Sequence, residues 1–143
     1  MMMMDWLPYW HQNIARALTL ICLPHAGGAA GMYRALRENA PSWLDVQPVQ
    51  LPGREERLGE PAIDALEPLV DQLRTVLAPC WTRPYALMGY SMGSRLAYRL
   101  AQRLIAEGQP PPTSLILAAH AWPDPADFTA QQQRAETYRQ ETT

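Results

Sequence analysis

Five consecutive residues, Gly89-Tyr90-Ser91-Met92-Gly93, have the types and the spacing for nucleophilic acyl transfer. A serine with a glycine two positions to either side fits a sharp turn that holds the serine in strained backbone geometry. The glycines stand where a Cβ would collide with neighbouring backbone. Such a turn lifts the hydroxyl out of its surroundings. The pattern needs a strand before it and a helix after it, and here an apolar run, Tyr85 to Tyr90, leads in and a helical pattern starts at Met92. The start of that helix aims unpaired N–H groups and the positive end of its dipole at the reacting centre, which favours the negative charge of an acyl-transfer intermediate. Ser91 is therefore the expected nucleophile and the Met92 N–H an expected oxyanion donor. The bland alternative is a Gly-Ser turn that only joins strand to helix, and the context on both sides weighs against it.

A second oxyanion donor should come from the loop after a neighbouring strand. Leu23-Pro24-His25-Ala26-Gly27-Gly28 is a glycine-rich loop in that position, and the Ala26 N–H is the expected donor. Alone, a Gly-Gly loop is usually just a turn; its value here comes from the elbow. His25 is tempting as a base, but a histidine beside its own oxyanion loop is more often structural, and it is left without a role.

The elements that must position these residues alternate between strand and helix. Ala17 to Leu23 is a continuous apolar run of strand length, suited to burial on both faces. Met32 to Asn39 reads as a short helix ending before Pro41, and Val46 to Leu51 as a second strand that Pro48 places at an edge or bulge. Pro52 to Pro61 is a charged turn. Ile63, Leu66, Val70, Leu73 and Leu77 recur at helical spacing, with Pro68 best placed in the first turn or at a kink. Met92 to Glu107 is a helix with Leu96, Leu100 and Leu104 on one stripe, stopped by Gly108 and the prolines at 110 to 112. Ser114 to Ala119 is the fourth strand. Such alternation implies an α/β fold with a parallel sheet and right-handed crossovers. Residues 1–16 read as an N-terminal arm whose Trp6, Tyr9 and Trp10 pack onto a domain spanning 17–121.

Three stretches, L-I-C-L-P-H-A-G-G-A-A at 20–30, Q-L-P-G-R-E-E-R-L-G-E-P at 50–61 and Y-A-L-M-G-Y-S-M-G at 85–93, resemble the type II thioesterases of nonribosomal peptide and polyketide assembly lines, in the α/β-hydrolase superfamily. Their order and spacing match the family's N-terminal half, from about Trp6 to about Ala119. The resemblance implies hydrolysis of acyl thioesters from the phosphopantetheine arm of an acyl or peptidyl carrier protein, with no cofactor or metal. Ser91 would attack the thioester carbonyl, the Ala26 and Met92 amides would hold the oxyanion, and water would release the acid. It also implies that the Ala17 strand lies between the Val46 and Tyr85 strands, so that chain order reverses where the Ala26 loop meets Ser91.

The family pattern is not completed. In α/β-hydrolases an acid and then a histidine follow the serine, and here the one histidine after the elbow is His120, at the end of the fourth strand, with Asp124 and Asp127 behind it. A substitute base at His120 is the weaker reading, because the family histidine arrives from a different loop. The expectation is thus a partial α/β-hydrolase fold lacking the C-terminal strands, with residues 122–143 starting a lid and a companion chain as one source of the missing half. Such a chain would hydrolyse thioesters weakly, and the bare outer edge of its fourth strand would favour self-association.

Composition narrows the classes. Of the 143 residues 48% are apolar and 18% charged, the balance of a chain with a core, and a net charge of −2 without a basic run offers nothing to nucleic acid. Cys22 and Cys80 are too few for a disulfide framework or a four-ligand zinc site and read as reduced and structural. Arg16 followed by the run Ala17 to Leu23 has the outline of a secretory signal, but the run is short and Pro24 and His25 interrupt it. No stretch approaches the ~20 apolar residues of a membrane span, and the expected location is cytoplasmic. Two rival functions stand beside the thioesterase: a general esterase of the superfamily, and a non-catalytic carrier-protein binder. For the latter, Arg95, Arg99 and Arg103 form an i, i+4, i+8 stripe that could meet an acidic helix, unless the stripe is simply a solvated face.

Overall fold

The structure is a computed structural model that describes residues 3–10, 17–25, 28, 30–53, 57, 59–60 and 65–118. Its elements, in chain order, are α1 (Met3–Trp6), β1 (Leu18–Leu23), a 3-10 turn (Ala30–Tyr33) running into α2 (Arg34–Asn39), β2 (Leu44–Pro48), α3 (Leu66–Val76), β3 (Tyr85–Tyr90), α4 (Met92–Ala106) and β4 (Leu115–Ala118). The strands form one sheet in the order β2-β1-β3-β4, and all three pairings are parallel. β1 therefore lies between β2 and β3, as the resemblance implies, and five of its six residues are buried.

Alternation along the strands sorts side chains to two faces. Ile21, Leu23, Tyr85 and Leu87 point into the larger cluster, where they meet Leu69, Val70 and Leu73 of α3 and Leu96, Leu100 and Leu104 of α4. Leu20, Cys22, Val46 and Ala86 point the other way and pack with Tyr33. Trp6, Leu7 and Trp10 belong to the larger cluster, so the N-terminal stretch contributes to the core rather than lying over it. Cys22 and Cys80 are free and buried, and burial pushes each thiol up to about 12, which leaves them protonated and unreactive at neutral pH.

Several boundaries differ from the expectations. β2 starts two residues before Val46 and stops at Pro48, whose ring supplies no N–H to a ladder. The Val49 N–H still reaches the Cys22 carbonyl at 2.9 Å, but the Gln50 N–H turns to the carbonyl of Trp6 at 2.7 Å, so the chain has left the sheet. The helix expected from Met32 opens instead as the 3-10 turn and becomes α-helical at Arg34. α3 begins at Leu66, which puts Pro68 in the first turn where no intrahelical donor is missed; Ile63 lies outside the described residues. β4 spans Leu115–Ala118 with Ile116 exposed, and among the described residues no strand pairs with its outer edge. Among the described residues no helix is long and apolar enough to cross a membrane.

The arginine stripe of α4 lies at a solvent-exposed surface, where two of its members are taken up by ion pairs with α3. Arg99 donates to Glu67 at 2.6 Å, Arg103 donates to Glu67 at 3.0 Å and also pairs with Asp71, and Arg74 donates to Glu107 at 3.1 Å. Two of the three residues expected to face a carrier protein thus staple α4 to α3, because packing their apolar stripes together brings the flanking charges into range. Only Arg95, exposed, makes no ion pair among the described residues. The hydrogen bond from Arg99 holds the Glu67 carboxyl below its ordinary 4.5. A group whose pKa is depressed on folding contributes stability above its unfolded value and loses it as pH falls through the folded value. Melting temperature is accordingly expected to fall on acidification from about pH 5, and Glu67→Gln to flatten that slope and to reduce the sensitivity to added salt. Equal slopes for the two proteins in a series of thermal melts would show that the pair contributes nothing.

Candidate active site

The backbone at Ser91 is what separates it from the other residues of the chain. It has φ 54 and ψ −114, the one positive φ at a non-glycine position among the described residues. A Cβ in that region collides with its own backbone, so the conformation survives only where the surroundings enforce it. They do so on three sides. The Ser91 N–H donates to the Ala118 carbonyl of β4 at 2.8 Å, and the Ser91 carbonyl accepts from both the Ser94 N–H at 3.0 Å and the Ser94 hydroxyl at 2.5 Å. Beneath the turn, β3 and α4 approach backbone to backbone at Gly89 and Gly93. A Cβ at Gly89 would fall on the backbone of Gly93 and Ser94, and one at Gly93 on the carbonyls of Leu23 and Pro24, all closer than the 3.0 Å that real Cβ atoms keep.

The second of those contacts positions the other half of the site. With no side chain at Gly93, the first turn of α4 sits directly on the Leu23 and Pro24 carbonyls at the end of β1, which brings the start of the loop after β1 to the elbow. Ser91 is the N-cap position of α4, whose first amides, Met92 and Gly93, have no carbonyl within the helix to donate to. Partial positive charge is concentrated there. Ser91 and Met92 are both half-buried. Tyr90, exposed, stacks edge-on against His25 with ring centroids 5.9 Å apart. The His25 carbonyl accepts from the Gly28 N–H at 2.9 Å, closing the turn that the loop makes. His25 thus packs on Tyr90 and accepts the hydrogen bond from Gly28. Such an arrangement can present a hydroxyl oxygen to an electrophilic carbon while backbone amides face the charge that develops.

Ser91 and Met92 stand where the sequence places them. Ala26, His120, Asp124 and Asp127 lie outside the described residues, as do 54–56 and 58 of the charged turn. Among the described residues the Ser91 hydroxyl hydrogen-bonds to no base, and no three His, Cys, Asp or Glu side chains gather as metal ligands. Two residues that sequence reasoning passed over prove to be built into the site's support. Gln50 is buried with its side-chain oxygen on the Ala30 N–H, and Arg57, 4% exposed, forks onto Glu60 at 2.7 and 2.9 Å. The cue in the sequence was the 50–61 stretch that carries the resemblance, which contains Gln50, Arg57 and Glu60 but assigns none of them a role.

Comparison with known proteins adds a family. Residues 18–142 match the family described as "Thioesterase domain". The probable cadicidin biosynthesis thioesterase of Streptomyces griseus is 38% identical over 108 residues, which cover 76% of this chain and 30% of that protein. Among solved structures, the type II thioesterase BorB from the borrelidin biosynthetic cluster superposes with a TM-score of 0.72 at 38% identity, over 81% of this chain and 47% of that one. RedJ, the thioesterase of the prodiginine pathway of Streptomyces coelicolor, superposes with a TM-score of 0.69 at 40% identity, over 72% and 39%. The chain spans less than half the length of each of the three.

Proposed function

The chain belongs to the thioesterase-domain family, and from that premise we propose that it hydrolyses acyl thioesters carried on the phosphopantetheine arm of an acyl or peptidyl carrier protein in nonribosomal peptide or polyketide synthesis. The single observation that carries this reading is the Ser91 backbone, a strained non-glycine residue capping α4. Strain of that kind is retained where it is needed, and a serine that merely joined β3 to α4 would be a glycine.

In the proposed reaction the Ser91 oxygen attacks the thioester carbonyl carbon. The carbonyl oxygen takes up the negative charge against the Met92 amide and the Ala26 amide, the two donors that the sequence resemblance implies. Collapse expels the pantetheine thiolate and leaves an ester on Ser91, which water then cleaves to the free acid. The hydroxyl proton must pass to a base and return to the departing sulfur. No cofactor enters, because the acyl group arrives already activated as a thioester. The relatives named for antibiotic pathways support the carrier-bound substrate.

The test compares one acyl group presented in two ways to the purified chain: as a thioester on the phosphopantetheine of a carrier protein, and as a simple oxygen ester. Faster acid release from the thioester, relative to the rates without protein, is the expected result. Preference for the oxygen ester, or no release from either, would overturn the reading.

A further inference from the structure

The 24–29 loop carries the proposed Ala26 amide, and both of its ends are tied by buried side chains that lie outside it. At the entry, the Tyr33 hydroxyl donates to the Leu23 carbonyl at 2.6 Å. At the exit, the Ala30 N–H donates to Gln50 Oε1 at 2.8 Å. Tyr33 is 5% exposed and Gln50 1%. A buried hydroxyl or amide costs stability unless it is paired, and phenylalanine or leucine would fill either space without that cost. In both cases the polar group meets backbone at an end of the same loop, which is the return for burying it.

Gln50 is in turn held from several directions. Its N–H donates to the Trp6 carbonyl at 2.7 Å, and its own carbonyl accepts from Arg57 Nη1 at 3.1 Å. The Arg57 guanidinium lies 4.5 Å over the Trp6 ring and grips Glu60, while the Arg57 carbonyl accepts from the Gly53 N–H at 2.9 Å. The N-terminal stretch, the end of β2 and the charged turn therefore converge on one glutamine whose side chain ends on the loop.

We propose that Gln50 and Tyr33 are positioning residues that fix the oxyanion loop beside Ser91, with Trp6, Arg57 and Glu60 fixing Gln50. A loop containing Gly27 and Gly28 has more backbone freedom than most, and an amide serves a developing oxyanion only if held within about 0.5 Å of its place. Two anchors, one at each end, supply that restraint. The catalytic part of the proposal rests on the function proposed above; the structural part does not.

The experiment uses the whole chain with Tyr33→Phe, Gln50→Met and Gln50→Glu. Hydrogen exchange is followed over residues 24–31, together with acid release from the carrier-bound thioester at limiting and saturating concentrations. Tyr33→Phe and Gln50→Met are expected to raise exchange over 24–31 about tenfold, with β1, β3 and α4 little changed. kcat is expected to fall with KM nearly constant, because the loop acts on the transition state more than on the bound substrate. Gln50→Glu keeps an oxygen acceptor for the Ala30 N–H and should recover part of both. Unchanged exchange over 24–31 in the first two variants would overturn the proposal. So would a rise spread evenly over the whole chain, or a loosened loop with unaltered kcat. If the unaltered chain releases no acid, the proposed function fails, and the exchange measurements still decide whether these side chains hold the loop.

Discussion

Ser91→Ala and Ser91→Gly are expected to lose the serine-dependent acid release alike, and to part company in stability. Alanine keeps the Cβ that makes φ 54 and ψ −114 costly, so it should melt close to the unaltered protein. Glycine occupies that region freely. Relief of strain of about 1–3 kcal/mol, less about 0.5–1 kcal/mol for the larger entropy of an unfolded glycine, leaves a net gain of about 1 kcal/mol. At this chain length that raises the melting temperature by about 2–4 °C. The hydroxyl itself makes no hydrogen bond among the described residues that either change would remove. Thermal melts of the three proteins beside the release assay check both halves. A glycine variant no more stable than the alanine variant would show that no strain is stored at the elbow, and release that survives in both would place the nucleophile elsewhere.

That contrast depends on a feature that was legible in the sequence, and its legibility has a physical reason. Strand, turn, serine and helix are consecutive, and Gly89 and Gly93 report a close backbone approach by their lack of a side chain. β1 and β3 were legible for a similar reason, since strands buried on both faces read as unbroken apolar runs. Where the outcome turned on partners remote in sequence, the reading failed. Spacing at four and eight residues correctly puts Arg95, Arg99 and Arg103 on one side of α4, but it cannot say that Glu67 and Asp71 stand opposite. The end of β2 depended on the Trp6 carbonyl capturing the Gln50 N–H, a contact with no local signature. Gln50 and Arg57 were hidden in the same way: a glutamine at the end of a strand and an arginine in a charged turn look solvated until the N-terminal stretch folds over them.

Gly93→Ala is expected to be among the most damaging single substitutions in the chain, against what helix propensity alone dictates. Position 93 is the second residue of α4, where exchanging glycine for alanine normally gains up to about 1 kcal/mol. Here the added methyl would sit inside the Leu23 and Pro24 carbonyls, and backbone at the end of a buried strand cannot rotate aside as a flexible side chain would. Either α4 lifts off β1, opening the layer that Leu96 and Leu100 fill, or β1 retreats and breaks its Tyr33 anchor. Both routes lead to a loss of about 4 kcal/mol or more, the range reserved for disrupted cores, and a melting temperature lower by about 10 °C or more. Gly108→Ala is the control. Its φ of 76 makes alanine strained, yet nothing lies within 4 Å of the added atom, so the cost should stay near 1 kcal/mol. Equal melting temperatures for the two variants would mean that α4 and β1 are not in the contact described, and with it would go the reason for placing the end of β1 beside the Ser91 elbow.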